Sequence, residues 1–558
     1  MVRHLQKKHK NSNYLRSGPS EQQGTGSKKD LSSSVKKPNP FTGSPLYDLL
    51  QVFERPQDQW VARYILILSI VLLKASVGLG LFSGQGELPI NGDFEAQRHW
   101  MELTIHIPLT SWYFFDLRYW GLDYPPLTAY HLWAFGKIGS FLNPEWFVLG
   151  LSRGNESVLL KTFMRLSCLL SELVFYVPAV MQLTSYLGGR KENLSRIHQI
   201  VVLALIFCQP CLILIDNGHF QYNSVMLGLF LFSVIELLKG NLVLASVWFI
   251  CSILFKQMAL YYSPFIFVFI LSRLFTCKKT ISSTIATFQF GKLFVVSVTV
   301  VVTITVILFP FLIAARSGTE AAEQVLQILK RMFPFERGLF EDKVANFWCT
   351  SNILIKYATI FNGGELKAIS LILTLTAIFP PCAMIFWKNI RRLYPPPELA
   401  IYGFSATAWA FFLFLFQVHE KTVLVPLIPS TLLLLTDNSS CISVIQWINN
   451  IAAFSLYPLL KKDGLVLQYL VCTLLVNWLL GGFLRKNWKS LLMPNLQSQA
   501  LKFVIILSYM AVFAVHVLDF VITPPMQYPD LWTIANTTVS FGSFSWFYLW
   551  LLYKIYHL

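Results

Sequence analysis

LFVVSVTVVVTITVILFPFLIAA, residues 293–315, holds no charged side chain. A helix crossing the hydrocarbon core of a bilayer needs about 20 mainly apolar residues, so this stretch reads as a membrane span. Comparable runs occupy 62–82, 162–187, 198–215, 223–239, 241–257, 258–276, 368–387, 399–416, 421–436, 444–460, 464–484, 501–522 and 531–553. Together they predict an all-α polytopic membrane protein with about 14 transmembrane helices. Runs 126–142 and 345–361 are also apolar, but Pro125, Pro126, His131 and Lys137 border or interrupt the first, and counting either as a span worsens the distribution of charge. Both are read as helices lying on the membrane surface across from the cytosol.

Composition points the same way. Of 558 residues, 54% are hydrophobic and 13% charged, and the mean hydropathy of +0.53 lies outside the soluble range. A formal charge of +16 would suit a nucleic-acid binder, yet about ten of the basic residues precede the first span, in MVRHLQKKHK, SKKD and VKKPNP. Basic residues packed beside a span mark its cytosolic flank. The expected partner is therefore membrane lipid and not nucleic acid. Residues 1–45, rich in Ser, Gly, Lys and Asn without apolar periodicity, predict a disordered basic tail in the cytosol, and 46–558 the membrane-embedded domain. No cleavable signal peptide precedes the first span. Nine cysteines, most of them inside apolar runs, do not form a disulfide framework. Cys208 and Cys211 have CxxC spacing but no second ligand pair, which favours packing over a zinc site.

With the tail in the cytosol, every second connection returns there. Those connections carry Arg190, Lys191 and Arg196; Lys278, Lys279 and Lys292; Lys388, Arg391 and Arg392; and Arg485, Lys486 and Lys489, as the positive-inside rule requires. Lys461 and Lys462 in LLKKDGL are the exception. Both termini are expected in the cytosol. Sequons occur at Asn155, Asn193, Asn438 and Asn536, and only Asn155 falls clearly on the far side.

The 83–161 connection far exceeds a turn, and long ordered loops usually carry function. It contains GDFEAQRHWMELTIHIP (92–108) and RYWGLDYPPLTAYH (118–131). Asp93, Gln97 and Trp100, spaced by four and three, would share one helical face. Asp93 also suits an N-cap, and Asp123 an Asx turn before Pro125. Four further polar clusters sit at span ends: DNGHFQYN (216–223), FKQMALYY (255–262), FPFERGLFEDKVANFWC (333–349) and FQVHEKT (416–422). All fall on the side of Asp93, and recurring aromatics beside the charges suggest one shared site. Carboxylates and histidines there suit general-base catalysis, and Lys, Arg and His suit a phosphate. Lys74 inside the first span reads as a snorkelling side chain, and Glu172 in the second as a buried helix-pairing residue. A transporter would carry internal repeats and midplane polar groups, and neither is evident.

The strings GDFEAQRHWMELT, YWGLDYPPLTAYH, LILIDNGHFQYNSVMLG, FKQMALYY, FPFERGLFEDKVANFWC and FQVHEK closely resemble the dolichyl-phosphate-glucose-dependent α-1,3-glucosyltransferases of the asparagine-linked glycosylation pathway. The resemblance runs from about residue 45 to the C-terminus, and GDFEAQRHW with GLDYPPLTA resembles the branch that adds the first glucose rather than the second. It implies a GT-C glycosyltransferase fold in the endoplasmic-reticulum membrane, with lumenal interfacial helices, the catalytic domain spanning 46–558, and an active site open to the lumen. The implied donor is dolichyl phosphate glucose, and the implied acceptor is the dolichyl-pyrophosphate oligosaccharide bearing nine mannoses. Asp93 matches the family's catalytic carboxylate, which would accept a proton from the acceptor hydroxyl in an inverting single displacement. His419 and Lys256 are the preferred donor-phosphate contacts, with Lys421 and Arg337 behind them. Glu95, Gln97, Trp120, Asp123, Tyr124, Asp216, His219 and Tyr222 are expected to meet the substrates. No DxD string occurs in the lumenal loops, so neither a metal nor another cofactor is expected, although Glu95, Asp123 and Asp216 are of the type that could converge on one.

Overall fold

Backbone amides in a bilayer must be satisfied within the segment that carries them, and the fold answers with helix throughout. In the computed structural model, residues 39–89, 91–189, 195–333, 343–392, 395–435, 439–481 and 498–558 are described. The tail up to Pro38, Arg337, Arg190, Lys191, Arg485, Lys486, Lys489 and the sequons at Asn193 and Asn438 lie outside them. The main helices are α1 (Gln59–Gly78), α2 (Asp93–His106), α3 (Pro126–Leu142), α4 (Val158–Gly189), α5 (Arg196–Phe207), α6 (Asn223–Lys239), α7 (Leu242–Phe255), α8 (Ser263–Arg273) and α9 (Phe290–Ala314). They continue with α10 (Gly318–Met332), α11 (Gly363–Ile390), α12 (Pro397–Phe414), α13 (Leu424–Leu432), α14 (Ser439–Ser455), α15 (Val466–Leu479), α16 (Gln499–Val521) and α17 (Leu531–His557).

Local chemistry sets the ends. Asn362 and Glu365 form a reciprocal capping box at the start of α11, and Gly240, at φ +86°, closes α6 in the left-handed region that glycine tolerates. Among the described residues, six helical stretches are long and apolar enough to cross a membrane: α1, α4, the Arg196–Phe220 stretch that begins with α5, α9, α11 and α16. The other runs read as spans fall on shorter, interrupted or less apolar helices, including α7, α14 and α15. Run 126–142 is α3, and run 345–361 holds two short helices, Phe347–Ser351 and Tyr357–Ile360.

Packing sorts the spans. The apolar window of Arg196–Phe220 is 94% buried among its neighbours, whereas that of α9 is 11% buried and turns its Val and Phe side chains outward. The first is a central helix and the second a lipid-facing one. Lys74 does not snorkel: its ammonium pairs with Glu172 inside the body, 2% and 3% exposed, and ties α1 to α4. All nine cysteines are free thiols.

The KKDG exception also resolves locally. Lys461 bonds both oxygens of Asp519 at 2.7 and 2.8 Å, Lys462 lies 3.6 Å from Glu87, and Asp463 turns inward to His219. Asp519 lies near the end of α16 and Glu87 in the connection after α1, so both lysines meet carboxylates at the Asp93 end of the body.

Candidate active site

Two glycines bring the start of α2 against the end of α1. Gly84 has φ +71°, and a Cβ on it would overlap the Gly92 nitrogen; a Cβ on Gly92 would stand 2.6 Å from the Ser83 carbonyl. The two strands of this loop touch backbone to backbone, which only glycine permits. Ser83 closes the arrangement, accepting from the Asp93 amide at 3.2 Å and donating its own amide to the His219 carbonyl at 3.1 Å.

Asp93 is the first residue of α2, and Gly92 occupies the cap position. The capping role expected of the Asp93 side chain is not what it performs. Its Oδ2 instead accepts from His219 Nε2 at 2.9 Å, from Gln221 Nε2 at 2.6 Å and from the Lys421 ammonium, with 22% of the side chain exposed. Burial alone would push the Asp93 carboxyl up, but the Lys421 charge and the His219 contact hold it well below the usual carboxylate range.

His219 and Gln221 reach one oxygen because the chain between them is bent. Residues Ile213–Phe220 form a π-helical turn, a form common at functional sites, and Phe220 sits at φ +93°. A buried aromatic there costs on the order of 1–3 kcal/mol. Its ring is held by Phe94, at 5.1 Å between centroids, and by the Arg165 guanidinium at 5.5 Å, while Arg165 also donates to the Gly218 carbonyl at 2.6 Å.

Behind His219 stands Asp463, whose Oδ2 meets Nδ1. Both His219 nitrogens thus face carboxylates, and only the imidazolium offers an N–H to each. Two carboxylates, Asp93 and Asp463, are then balanced by two cations, His219 and Lys421.

Behind Gln221 stands Lys256. Its ammonium donates to Gln221 Oε1 at 2.7 Å and Asn223 Oδ1 at 2.6 Å and lies 4.8 Å from the Tyr124 ring centre. Tyr124 O–H also donates to Gln221 Oε1, at 3.2 Å. An ammonium can only donate, so it fixes Oε1 toward itself and the Gln221 amide N–H toward Asp93.

The structure therefore gathers Asp93, His219 and Lys421 directly and brings Lys256 and Tyr124 in through Gln221. Other expected contacts are built into the wall. Glu95 is 3% exposed and pairs with Arg98 at 2.7 Å while accepting from Tyr119 at 3.1 Å; Arg98, fully buried, also bonds Glu102 and Ser152, at 2.7 Å each. This network anchors α2 to the chain around residue 150. Asp216, fully buried, accepts from the amides of Asn223 and Ser224 and caps α6. Tyr222 bonds Ser167 at 2.6 Å, and Gln97 is 1% exposed. Trp120 accepts at its carbonyl from Trp100 at 2.9 Å and, like Asp123, is partly buried. His419 is exposed, heading the short turn Glu420–Val423 from which Lys421 reaches Asp93. Among the described residues no three His, Cys, Asp or Glu side chains are arranged to hold a metal ion. Gln221 and Asp463 were missed: the first lay unremarked within DNGHFQYN, and the second was hidden in a loop read only for its lysines.

The sequence has relatives. The family model described as the ALG6, ALG8 glycosyltransferase family matches residues 66–552. A Saccharomyces cerevisiae protein named dolichyl pyrophosphate Man9GlcNAc2 alpha-1,3-glucosyltransferase is 44% identical over 94% of this chain and 97% of its own length. A Schizosaccharomyces pombe protein named as a probable enzyme of the same kind is 43% identical over 92% and 96%. A Gallus gallus protein with the same name as the first is 35% identical over 88% and 96%.

Proposed function

This chain belongs to the ALG6, ALG8 glycosyltransferase family, a membrane glycosyltransferase of the dolichol N-glycosylation pathway, and from that premise we propose that it transfers the first glucose from dolichyl phosphate glucose to the nine-mannose dolichyl-pyrophosphate oligosaccharide. The linkage formed is α-1,3. The supporting observation is the Asp93 carboxylate, part-exposed at the tip of α2, whose side-chain contacts among the described residues all fall on Oδ2. Oδ1 is the oxygen left for an acceptor hydroxyl.

In this reading the terminal mannose 3-hydroxyl attacks the anomeric carbon, its proton passes to Asp93, and the bond from that carbon to the phosphate oxygen breaks. Dolichyl phosphate leaves with the electron pair, and the anomeric centre inverts from β to α. The departing phosphate is already a stable anion, so cations serve it better than a proton donor does. Lys421, on Asp93, and exposed His419, two residues before it, are the groups assigned to the donor phosphate. Lys256, enclosed by Gln221 and Asn223, orients Gln221. A strongly depressed carboxyl is a weak base; donor phosphate drawing Lys421 away from Asp93 would restore its basicity once the donor is bound. The site would face the endoplasmic-reticulum lumen, with both termini cytosolic.

Purified enzyme supplied with synthetic donor and defined acceptors tests the assignment. Transfer to the nine-mannose acceptor in α-1,3 linkage is expected. Transfer only to an acceptor already capped by one glucose would make this the second-glucose enzyme, and no transfer to either would overturn the reading.

A further inference from the structure

A half-open cavity of about 540 Å³ lies away from Asp93, between the start of α7, the end of α8, the start of α9 and the end of α11. Helix α7 runs from this cavity, at Leu242, to the residue before Lys256, so the two sites stand roughly 20 Å apart at 1.5 Å per residue. Arg273, Lys292 and Arg392 line it, and among the described residues no Asp or Glu does. Of the three, Arg392 also donates to a C-terminal carboxylate oxygen of Leu558 at 2.6 Å.

Cations at span ends are ordinary, but two features here exceed a solvated basic rim. The first is a buried acceptor. Asn389, 6% exposed, lines the cavity and donates its Nδ2 to Ser272 Oγ at 3.0 Å, while its Oδ1 has no partner among the described residues. Ser272 cannot supply one, because its hydroxyl proton goes to the Phe269 carbonyl at 2.6 Å. An unmet buried acceptor is costly, and its natural complement is a hydroxyl or ammonium donor. The second is an apolar wall continuous with lipid. Val295 and Val296 of α9 line the cavity, and Phe294, Val298 and Val301 on the same helix are exposed to the bilayer.

We propose that this cavity binds the head group of an anionic phospholipid, its phosphate held by Arg273, Lys292 and Arg392, a head-group hydroxyl donating to Asn389, and its acyl chains lying along α9. Basic pockets between membrane helices bind such head groups. This proposal is independent of the catalytic reading, since no residue of the cavity touches the Asp93 cluster.

The test uses full-length enzyme in phosphatidylcholine nanodiscs containing phosphatidylinositol, with retained lipid counted by native mass spectrometry and thermal unfolding followed in parallel. The wild type should retain phosphatidylinositol in preference to phosphatidylcholine. The R273Q/K292Q variant should lose that preference by roughly 30-fold, the scale set by two basic side chains at an anionic surface. The charge-preserving R273K/K292R variant should keep it, which separates binding from folding should the neutral variant unfold. Equal retention of both lipids by the wild type, or undiminished preference in a folded R273Q/K292Q variant, overturns the proposal. So does equal stabilisation by millimolar inorganic phosphate, which would assign the cations to a free anion.

Discussion

Asp463→Asn keeps the size and an acceptor oxygen but removes the charge behind His219. In the wild type the His219 ring faces Asp463 at Nδ1 and Asp93 at Nε2, 2.9 Å away, with 3% of its side chain exposed. With the substituted amide oxygen accepting from Nδ1–H, a neutral ring would present the lone pair of Nε2 to the Asp93 carboxylate, and that contact would turn from a charge-assisted bond into a repulsion. A hydrogen bond to a charged group is worth about 1.5–3 kcal/mol, and each 1.36 kcal/mol is tenfold in rate. The variant should therefore lose roughly 10- to 100-fold in kcat for glucosyl transfer while KM for either lipid-linked substrate stays near wild type. Lowering the pH reprotonates the ring, so the deficit should shrink between pH 7.5 and pH 5.5, a recovery that a purely structural role for Asp463 does not produce. Transfer of labelled glucose from synthetic donor, followed across that pH range, reads both effects. A folded variant with wild-type kcat, or one whose loss is independent of pH, would refute the bridging role of His219.

Further predictions concern the charges around this centre. Because Asp93 is held low, its contribution to stability is complete above the ordinary carboxylate value of about 3.9 and is lost only as pH falls through the lowered one. Lys421→Met removes the main opposing charge and lets burial raise the Asp93 carboxyl, so the acidic limb of the kcat profile should move to higher pH, and donor KM should rise about tenfold for one lost charge-assisted contact; an unchanged profile and donor KM would contradict it. Arg98→Met strands Glu95 and Glu102 in the interior, where removing one partner of a buried pair costs about 3–5 kcal/mol, and detergent-extracted protein should show a sharply lowered unfolding temperature. Glu172→Gln should destabilise by leaving Lys74 buried without its partner carboxylate, and K74M/E172L should recover most of the loss, as buried pairs often tolerate apolar replacement; thermal unfolding of the single and double variants decides this.

Much of the architecture was legible because hydropathy and helix length report directly on the bilayer. Runs such as 293–315 and 501–522 carry both signals, and α9 and α16 follow them closely. Hydropathy does not say which span is central: Arg196–Phe220 and α9 are both strongly apolar, yet the apolar stretch of one is 94% buried and that of the other 11%. That difference arises from packing between segments. Helix α10 carries no apolar run because it is amphipathic; its Gln327 and Arg331 hold the carbonyls of Tyr113, Leu122 and Gly121. In the site, Asp93 was recognisable as a carboxylate in the long 83–161 connection, and His219 and Lys421 as polar residues at span ends. Their convergence was not, since it depends on the φ of Phe220 and on glycine contacts between residues 84 and 92. Glu95 and Asp216 show what residue type leaves out: partners on the same or the next helix, Arg98 and the start of α6, engage their oxygens.

The role of Asp93 as the base is tested most directly by Asp93→Asn, assayed for single-turnover glucose transfer in enzyme loaded with donor. Asn preserves shape and can still accept from Gln221, so folding and donor binding should persist while transfer falls by about 10² to 10⁴, the range of general-base assistance. A folded Asp93→Asn enzyme that transfers glucose at more than about a tenth of the wild-type rate falls outside that range and would contradict the assignment of Asp93 as the base.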